Sequence, residues 1–333
     1  MTIKDIAKLA GVSISTVSRV MNNSAKVKQE VRERIERIIE ETGYRPNSLA
    51  RELLKNKTNT IGVILPRIDL EIFAGAMEGI AEQLNEAGYH ILLVNTREKT
   101  EEELEYFKVF QEKRVDGVLW FATEITEEHK KVLDKVHYPL VLVGQESKIL
   151  DYPCVIYDNY NAARMAVEYL IKLGHKKIGF VGIPEFDEAI GKKRKQGYLD
   201  AMKEAGLEIN EEWMAEGTFE YASGDEAVKK IIKDRENLPT AIFAVTDRLA
   251  VGVMHCLLGM GYKIPEDISV IGIDNLRVSR IYTPELTTIS YDYFAAGVYA
   301  ANLILDRVEK RKLSMKKVVM DYTLEIRNST KKK

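Results

Sequence analysis

The sequence has few features of an exported, membrane-bound or metal-binding protein. Only two of its 333 residues are cysteines, Cys154 and Cys256, and both lie in mainly apolar surroundings without metal-ligand spacing. We therefore expect buried free thiols in a reducing cytoplasm. The N-terminus has no basic patch followed by an apolar run, and no apolar stretch approaches the roughly 20 residues that cross a bilayer. We expect a cytoplasmic protein without a signal peptide or a membrane partner.

Patterns that indicate an enzyme are also missing. The phosphate-binding pattern GxxxxGK[ST] requires a hydroxyl residue after Gly-Lys, but Gly191 and Lys192 are followed by Lys193. The five histidines do not cluster, and His175 is expected to order a turn between a helix and a strand. We therefore expect no enzyme activity, no catalytic residue, no cofactor and no bound metal.

Charge is distributed unevenly along the chain. The formal net charge of the whole sequence is −2, which alone argues against a nucleic-acid partner. Residues 1–57, however, hold 12 Lys and Arg against 7 Asp and Glu, a net charge of +5, and the remainder has a net charge of −7. A basic N-terminal module on an acidic body is typical of a nucleic-acid-binding protein, whose affinity depends largely on phosphate contacts.

The N-terminal stretch TIKDIAKLAGVSISTVSRVMNN predicts two short helices joined by a turn. Thr2 can cap the first helix, Gly11 can end it in a left-handed conformation, and Ser13 can cap the second. Short polar side chains and an arginine, which reach base edges and phosphates in a DNA major groove, recur on one side of the second helix. They are Ser15, Arg19 and Asn22. The alternative is a helical hairpin with a solvated face, since this geometry also occurs in proteins that do not bind DNA.

A third helix is predicted over about 29–42, and the stretch YRPNSLARELLKNKT follows it at 44–58. Pro46 breaks the preceding helix, and Asn47 can cap a new helix that is too short to persist alone in water. This helix carries leucines beside basic residues. It could pair with a copy of itself and fold only on DNA, with a leucine wedged into the minor groove. A plain linker is the alternative.

From Asn59 onward, short apolar runs alternate with amphipathic helices. A first series consists of IGVIL, HILLV, DGVLWF and PLVLVG, and a second of KIGFVG, TAIFAV and ISVIGID. This βαβ rhythm predicts two Rossmann-like subdomains with mostly parallel sheets. A helix at about 293–309 and a strand around 318–321 are expected to cross back and complete them. Ligands in this architecture bind beyond the carboxyl ends of the strands, in the crevice between the halves.

Together these segments resemble the LacI/GalR family of bacterial transcription regulators over essentially the full length. Besides the two N-terminal stretches, the resemblance is carried by VDGVL, LGHKKIGFVG, GKKRKQGY, AVTD, ISVIGIDN and TPELTTI. It implies a homodimeric repressor with an all-α helix–turn–helix headpiece at 1–44, a hinge helix at 45–58 and a periplasmic-binding-protein-like α/β core at 59–333. Within the core, the N-subdomain is expected at about 59–158 and 290–317, and the C-subdomain at about 159–289 and 318–330.

The resemblance also implies a set of DNA-binding residues. The base-contacting positions are Ile14, Ser15 and Arg19, with Ser13, Thr16 and Asn22 nearer the phosphates and Thr2 and Asn47 completing the set. Leu53 matches the leucine that the family inserts into the minor groove. Ile14 stands where the family often has an aromatic or small polar residue, and an apolar contact with a thymine methyl is physically sensible. The expected partner is a pseudo-palindromic double-stranded operator.

For the effector, the resemblance points to the cleft between the subdomains. Phe73 and Phe219 are aromatic residues suited to the apolar side of a sugar ring or a base. Arg194 and Asp274 match the polar anchors that the family uses on ligand hydroxyls. Asp247 is either a third anchor or the cap of the helix that starts there.

Arg67, in LPRID, is unusual for a sugar-responsive member of the family. An arginine after a strand and before a helix suits a phosphate or carboxylate. With GIPEFDEAIGKKRKQGY it looks like the trehalose-operon repressor branch, which suggests a phosphorylated disaccharide such as trehalose 6-phosphate. The alternative is that Arg67 forms an ordinary ion pair with Asp69 or Glu71 at the cleft rim.

The expected function is therefore sugar- or sugar-phosphate-controlled transcription regulation, most simply repression, of carbohydrate-utilisation genes. One alternative is a pleiotropic catabolite-control regulator, driven by a phosphorylated carrier protein that docks near 293–309. Another is a free-standing sugar-binding protein, which would have an export signal and no headpiece. Effector and DNA affinities must be reciprocally coupled, but the sequence leaves the sign open.

Overall fold

The computed structural model describes residues 1–21, 26–44, 57–312 and 315–333. It divides into two units, Met1–Thr58 and Asn59–Lys333, which we call the headpiece and the core domain. The expected hinge helix, with Asn47 and Leu53, lies outside the described residues, and so does Asn22. Within the described part of the chain, no helix is long and apolar enough to cross a membrane.

The headpiece contains three helices around a small hydrophobic centre. They are α1 (Ile3–Ala10), α2 (Ile14–Met21) and α3 (Gln29–Thr42). Thr2 caps α1 through a reciprocal pair of hydrogen bonds: the Asp5 N–H donates to its hydroxyl at 3.4 Å, and its own N–H donates to the Asp5 carboxylate at 2.8 Å. Gly11 ends α1 with a φ of 62°, the left-handed conformation that glycine adopts without strain. The side chains of Ile6, Val17 and Ile35 fill the centre and bring the three helices together.

The core domain alternates strands and helices. The strands are β1 (Thr60–Leu65), β2 (His90–Asn95), β3 (Gly117–Phe121), β4 (Leu140–Gly144), β5 (Cys154–Tyr157), β6 (Ile178–Gly182), β7 (Met214–Glu216), β8 (Ala241–Ala244), β9 (Ser269–Ile273), β10 (Thr287–Tyr291), β11 (Lys317–Met320) and β12 (Tyr322–Glu325). The α-helices are α4 (Glu71–Glu86), α5 (Thr100–Lys113), α6 (Glu127–Leu133), α7 (Asn159–Lys172), α8 (Lys193–Glu204), α9 (Tyr221–Ile231), α10 (Asp247–Gly259), α11 (Arg277–Ile281) and α12 (Tyr293–Val308). A π-helical turn, Glu188–Lys192, leads directly into α8.

The strands form two six-stranded sheets. The first has the order β11-β5-β4-β3-β1-β2 and is parallel throughout, and the second has the order β12-β10-β9-β8-β6-β7 with only β12 antiparallel. We call each sheet with the helices packed on it the first lobe and the second lobe. Both sheets are mostly parallel and the lobes share one architecture, as the sequence predicts.

The lobe boundaries differ slightly from those expected. We expected the return to the second lobe at residue 318, but all of β11 pairs with β5 in the first sheet, from Lys317 opposite Cys154 to Met320 opposite Tyr157. Likewise β10, through Tyr291, pairs with β9 and β12 in the second sheet. The chain therefore changes lobe after Tyr157, after Tyr291 and after Met320. These crossings lie next to the cleft and place several side chains in it.

Helix α12, which follows the second crossing, is held tightly against α4. A β-carbon added at Gly79 would lie 2.1 Å from the Phe294 carbonyl oxygen, and one added at Gly297 would lie 1.9 Å from the Ala76 carbonyl oxygen. Glycine is required at both positions because the backbones of the two helices nearly touch. This packing fixes α12, and with it Tyr293, to the first lobe. Both cysteines are buried and unpaired, as expected.

Candidate functional site

In the headpiece, α2 turns a polar face to solvent. Val17 and Val20 point into the hydrophobic centre, so Ser15 and Arg19 are exposed on the other side, and Ile14 is 44% exposed. The Ser13 hydroxyl accepts the Thr16 N–H at 3.2 Å, which caps α2, and lies 2.8 Å from each of the Ser15 and Thr16 hydroxyls. Six of the expected DNA-binding residues thus lie at the start of α1 or on the start and outer face of α2. They are Thr2, Ser13, Ile14, Ser15, Thr16 and Arg19.

In the core domain, a pocket lies between the two lobes beyond the carboxyl ends of their strands. Its walls are largely apolar and include five aromatic rings. The rings are those of Phe73, Phe121, Tyr157, Phe219 and Tyr293. Phe73 packs edge-on against Phe121 with their centroids 5.5 Å apart, and Tyr157 packs against Tyr293 at 5.3 Å. Both expected aromatic residues, Phe73 and Phe219, line this pocket from opposite lobes.

Arg194 lines the same pocket and is held rigidly. Its side chain is 2% exposed, and its Nε donates to the Asn159 Oδ1 at 2.7 Å. Its Nη1 donates to the Val245 carbonyl oxygen and to Asp274 Oδ1, the latter at 3.3 Å. Three acceptors therefore fix the guanidinium before any ligand arrives, which lowers the entropy cost of ordering it.

Asp274 supports the pocket from behind and does not line it. Its Oδ1 accepts hydrogen bonds from Arg194 and, at 2.9 Å, from the Tyr293 hydroxyl. Burial raises the pKa of this carboxyl, and the charge of Arg194 opposes that rise. Asp274 therefore positions two pocket side chains, where the family resemblance implied direct contact with the ligand.

Asp247 is also away from the pocket, contrary to our expectation of an effector contact. Its Oδ2 accepts the Leu276 N–H at 2.8 Å, and its Oδ1 accepts the Thr288 hydroxyl at 2.5 Å. The cap of α10 is Thr246, whose hydroxyl accepts the Leu249 N–H at 3.3 Å. Burial and the neighbouring Asp274 raise the pKa of Asp247 to about 7. Asp247 therefore ties α10 to β10 and to the loop after β9.

Arg67 lies at the rim of the cleft and forms an ion pair with Asp69, which is the alternative to an anion site that the sequence left open. Its Nε and Nη2 donate to the Asp69 carboxylate at 3.0 and 2.7 Å, and Nη2 also donates to Glu220 of the second lobe. From the second lobe, Arg248 donates to the Asp69 carbonyl oxygen at 2.8 Å. The hydrogen bond from Arg67 lowers the pKa of Asp69. Two cations and two carboxylates thus join the lobes across the cleft mouth.

Several polar pocket residues were missed by the sequence analysis. Asp187 is 3% exposed, its Oδ1 accepts the Ile190 N–H at 2.7 Å, and burial raises its pKa. Glu98 also lines the pocket and has a positive φ of 60°. Burial raises the pKa of its carboxyl, and the positive charge of Arg67 partly opposes that rise. Tyr157 is the last residue of β5, Asn159 comes two residues after it, and Tyr293 comes two residues after the end of β10. Their position at the carboxyl end of a strand was the available signal, since this is where α/β ligand sites form.

The chemistry of the pocket is well defined. Aromatic faces contact apolar ring surfaces, while carboxylates and a fixed guanidinium accept and donate hydrogen bonds around them. This combination suits a compact polyhydroxylated molecule with an apolar face.

Two family models match the chain. The model described as "Bacterial regulatory proteins, lacI family" matches residues 2–47, and the model described as "Periplasmic binding proteins and sugar binding domain of LacI family" matches residues 58–327. The chain belongs to the LacI family. Its helix–turn–helix headpiece and two-lobed α/β core are those of a LacI-family DNA-binding transcription regulator, which confirms the expected fold and the expectation that the chain is not an enzyme.

Individual LacI-family relatives cover nearly the whole chain. Catabolite control protein A of Priestia megaterium is 37% identical over 99% of both chains. The HTH-type transcriptional repressor PurR of Pasteurella multocida is 36% identical over 99% of this chain and 98% of its own. Among solved structures, the complex of the transcriptional regulator CelR with cellobiose superposes with a TM-score of 0.76, at 28% identity and 99% coverage of both chains.

Proposed function

We propose that this LacI-family regulator is a cytoplasmic homodimeric repressor of carbohydrate-utilisation genes, and that a neutral sugar bound between the lobes sets its affinity for a pseudo-palindromic operator. The observation that carries the proposal is the pocket itself. It combines aromatic walls from both lobes with the carboxylates of Glu98 and Asp187 and the fixed guanidinium of Arg194. Because Phe73 and Phe219 belong to different lobes, a sugar between them favours one separation of the lobes.

A neutral sugar fits this pocket better than the sugar phosphate suggested by the sequence. That suggestion depended on Arg67 as an available cation, and the resemblance to the trehalose-operon branch rested on LPRID together with GIPEFDEAIGKKRKQGY. Arg67 is instead paired with Asp69 and Glu220 at the rim. Arg194 is paired with Asp274, and Glu98 and Asp187 bring two acidic groups to the pocket. A phosphate in the pocket would face these carboxylates, and like charges repel each other. The cellobiose in the CelR complex supports a neutral disaccharide as the ligand class.

Isothermal titration calorimetry tests the ligand class. We expect trehalose or cellobiose to bind at least about tenfold more tightly than trehalose 6-phosphate, since tenfold is only about 1.4 kcal/mol of charge repulsion. Phe219→Ala should weaken the binding, whereas Phe294→Ala, an exposed aromatic residue of α12 outside the pocket, should not. Tighter binding of the phosphorylated sugar would restore Arg67 as an anion site.

The outer face of α2 is proposed to contact operator bases. Arg19→Ala should reduce discrimination between operator and mismatched DNA by about 1–3 kcal/mol per half-site if Arg19 contacts a base. Arg37→Ala is the matched control, because it removes the same charge from the exposed face of α3. Fluorescence anisotropy with operator and scrambled duplexes separates the two effects. An equal loss on both duplexes for Arg19→Ala would make Arg19 a phosphate contact only.

A second candidate is a catabolite-control regulator, favoured by the 37% identity to Catabolite control protein A. In that case a phosphorylated carrier protein would replace or assist the sugar. Helix α12 exposes Phe294 and Tyr299, 38% and 42% exposed, on the segment where such docking was expected. Operator binding that responds to a phosphorylated carrier protein, and to no sugar, would favour this candidate.

A further inference from the structure

The pocket continues outward into a groove between the lobes. Three segments line both spaces with consecutive residues. Thr123, Gly144 and Asp187 line the pocket, and the residues that follow them, Glu124, Gln145 and Glu188, line the groove. The groove holds about 1360 Å³ of space, including space open to solvent. We call it the outer groove, and its lining includes Glu124, Gln145, Ile149, Phe186 and Glu188. A ligand too long for the pocket would extend along these loops.

The outer groove presents apolar surface that nothing in the described chain covers. Phe186 is 56% exposed and Ile149 is 36% exposed, and they face the groove from opposite lobes. Exposed apolar surface rimmed by polar residues is typical of a ligand-binding groove. Its face suits the apolar side of a sugar ring, as do the aromatic walls of the pocket.

Gln145 supplies a second, independent sign of a ligand. Its side chain is 3% exposed, yet its Nε2 has no hydrogen-bond partner among the described residues. Buried amides normally donate to an acceptor, because leaving the N–H groups unpaired is unfavourable. A sugar hydroxyl or ring oxygen in the groove would provide that acceptor.

The charges around the outer groove favour a neutral occupant. Glu146 is paired with Lys317 and, at 3.6 Å, with Lys193. Lys192 is paired with Glu188 at 3.0 Å, and Lys195 with Glu185 at 2.7 Å. Carboxylates also outnumber cations in the lining, with Glu124, Glu146, Glu185 and Glu188 against Lys148 and Lys193, so an anionic ligand would be repelled on balance.

From these observations we infer that the outer groove is a second saccharide subsite, which binds the next ring of an oligosaccharide whose first rings occupy the pocket. The inference rests on the proposed sugar-binding function. Phe186 packs on the added ring, and Gln145 Nε2 donates to one of its oxygens. The protein then distinguishes oligosaccharides by length as well as by ring chemistry.

Calorimetry with matched sugars tests the subsite, using cellobiose against cellotriose and maltose against maltotriose. In at least one pair, the trisaccharide should bind about tenfold more tightly, the scale of one aromatic contact. Phe186→Ala should remove most of this gain and change the affinity for the disaccharide less than about twofold. Phe294→Ala, an equally apolar change on an exposed face of α12, should preserve the gain.

The outcomes separate the two proposals. A disaccharide that binds without any gain from the third ring, or a gain that survives Phe186→Ala, overturns the subsite and leaves the pocket assignment standing. Absence of binding by any of the four sugars and by trehalose overturns both.

Discussion

Arg194→Met is expected to lower the free energy of unfolding of the core domain by about 3–5 kcal/mol, because it leaves Asp274 buried without its cation. Asp274 is 6% exposed and would keep the hydrogen bond from the Tyr293 hydroxyl but lose its paired cation. The same change removes the fixed donor from the pocket, so sugar binding should be lost as well. Urea denaturation followed by tryptophan fluorescence measures the effect, since both tryptophans, Trp120 and Trp213, are buried in the core domain.

Two further variants identify the cause. Adding Asp274→Asn to Arg194→Met should recover part of the stability, because the unpaired buried charge is then gone. Arg164→Met is the matched control: Arg164 bonds Glu168 and Glu204 at 2.9 and 2.6 Å at the surface, and exposed pairs contribute about 0–1 kcal/mol. Equal losses for Arg164→Met and Arg194→Met would contradict the role given to the buried pair.

Asp247→Asn is expected to stabilise the core domain at pH 8 by up to about 4 kcal/mol. The pKa of Asp247 in the folded protein lies about three units above its ordinary value, and each pKa unit corresponds to about 1.4 kcal/mol. The pKa of Asp247 is raised by burial from 3.8 to about 7, so the folded protein binds a proton more tightly than the unfolded chain. Its contribution to stability is present below pH 4 and is lost as the pH rises to about 7. Asparagine can keep both hydrogen bonds, with Oδ1 accepting the Leu276 N–H and Nδ2 donating to the Thr288 oxygen, whose hydroxyl can rotate.

The measurement is the difference in urea stability between Asp247→Asn and the parent at pH 4, 5, 6, 7 and 8. That difference should grow steadily in favour of the variant up to about pH 7 and then level off. Asp134→Asn, which removes a carboxylate that is 60% exposed and paired with Lys130, should show no such trend. A variant less stable than the parent at pH 8 would mean that the carboxylate is the better hydrogen-bond partner despite its burial.

Most of the fold could be predicted because its central strands are continuous apolar runs and its headpiece helices carry clear caps. The strands that were not predicted, β5, β7, β10 and β12, are only three to five residues long. Strand β10 buries Thr287 and Thr288, whose hydroxyls form hydrogen bonds with Thr330 and Asp247. No hydrophobic pattern in the sequence predicts this strand. Strand β7 has only three residues. Their existence depends on partners far away in the chain.

The pocket was predicted less completely, for a related reason. Phe73, Phe219 and Arg194 line it, as the family resemblance implied. Arg67 was placed in the site from its position after a strand, and Asp247 from the family motif in which it lies. Their actual partners, Glu220 and Thr288, lie 153 and 41 residues away in the sequence, and only the fold brings these charges and hydroxyls together. The remaining DNA-contact expectations, Asn22, Asn47 and Leu53, lie outside the described residues.

The most direct test of sugar control is calorimetric titration of the disaccharide into the protein alone and into its complex with operator DNA. If the sugar and the operator act on one conformational equilibrium, the sugar affinity must differ between the two titrations. The operator affinity must then change by the same factor when saturating sugar is added, because coupling between sites is reciprocal. We expect a factor of about 5–150, the usual range of such coupling. Identical sugar affinities with and without operator would contradict the proposal that the sugar controls operator binding.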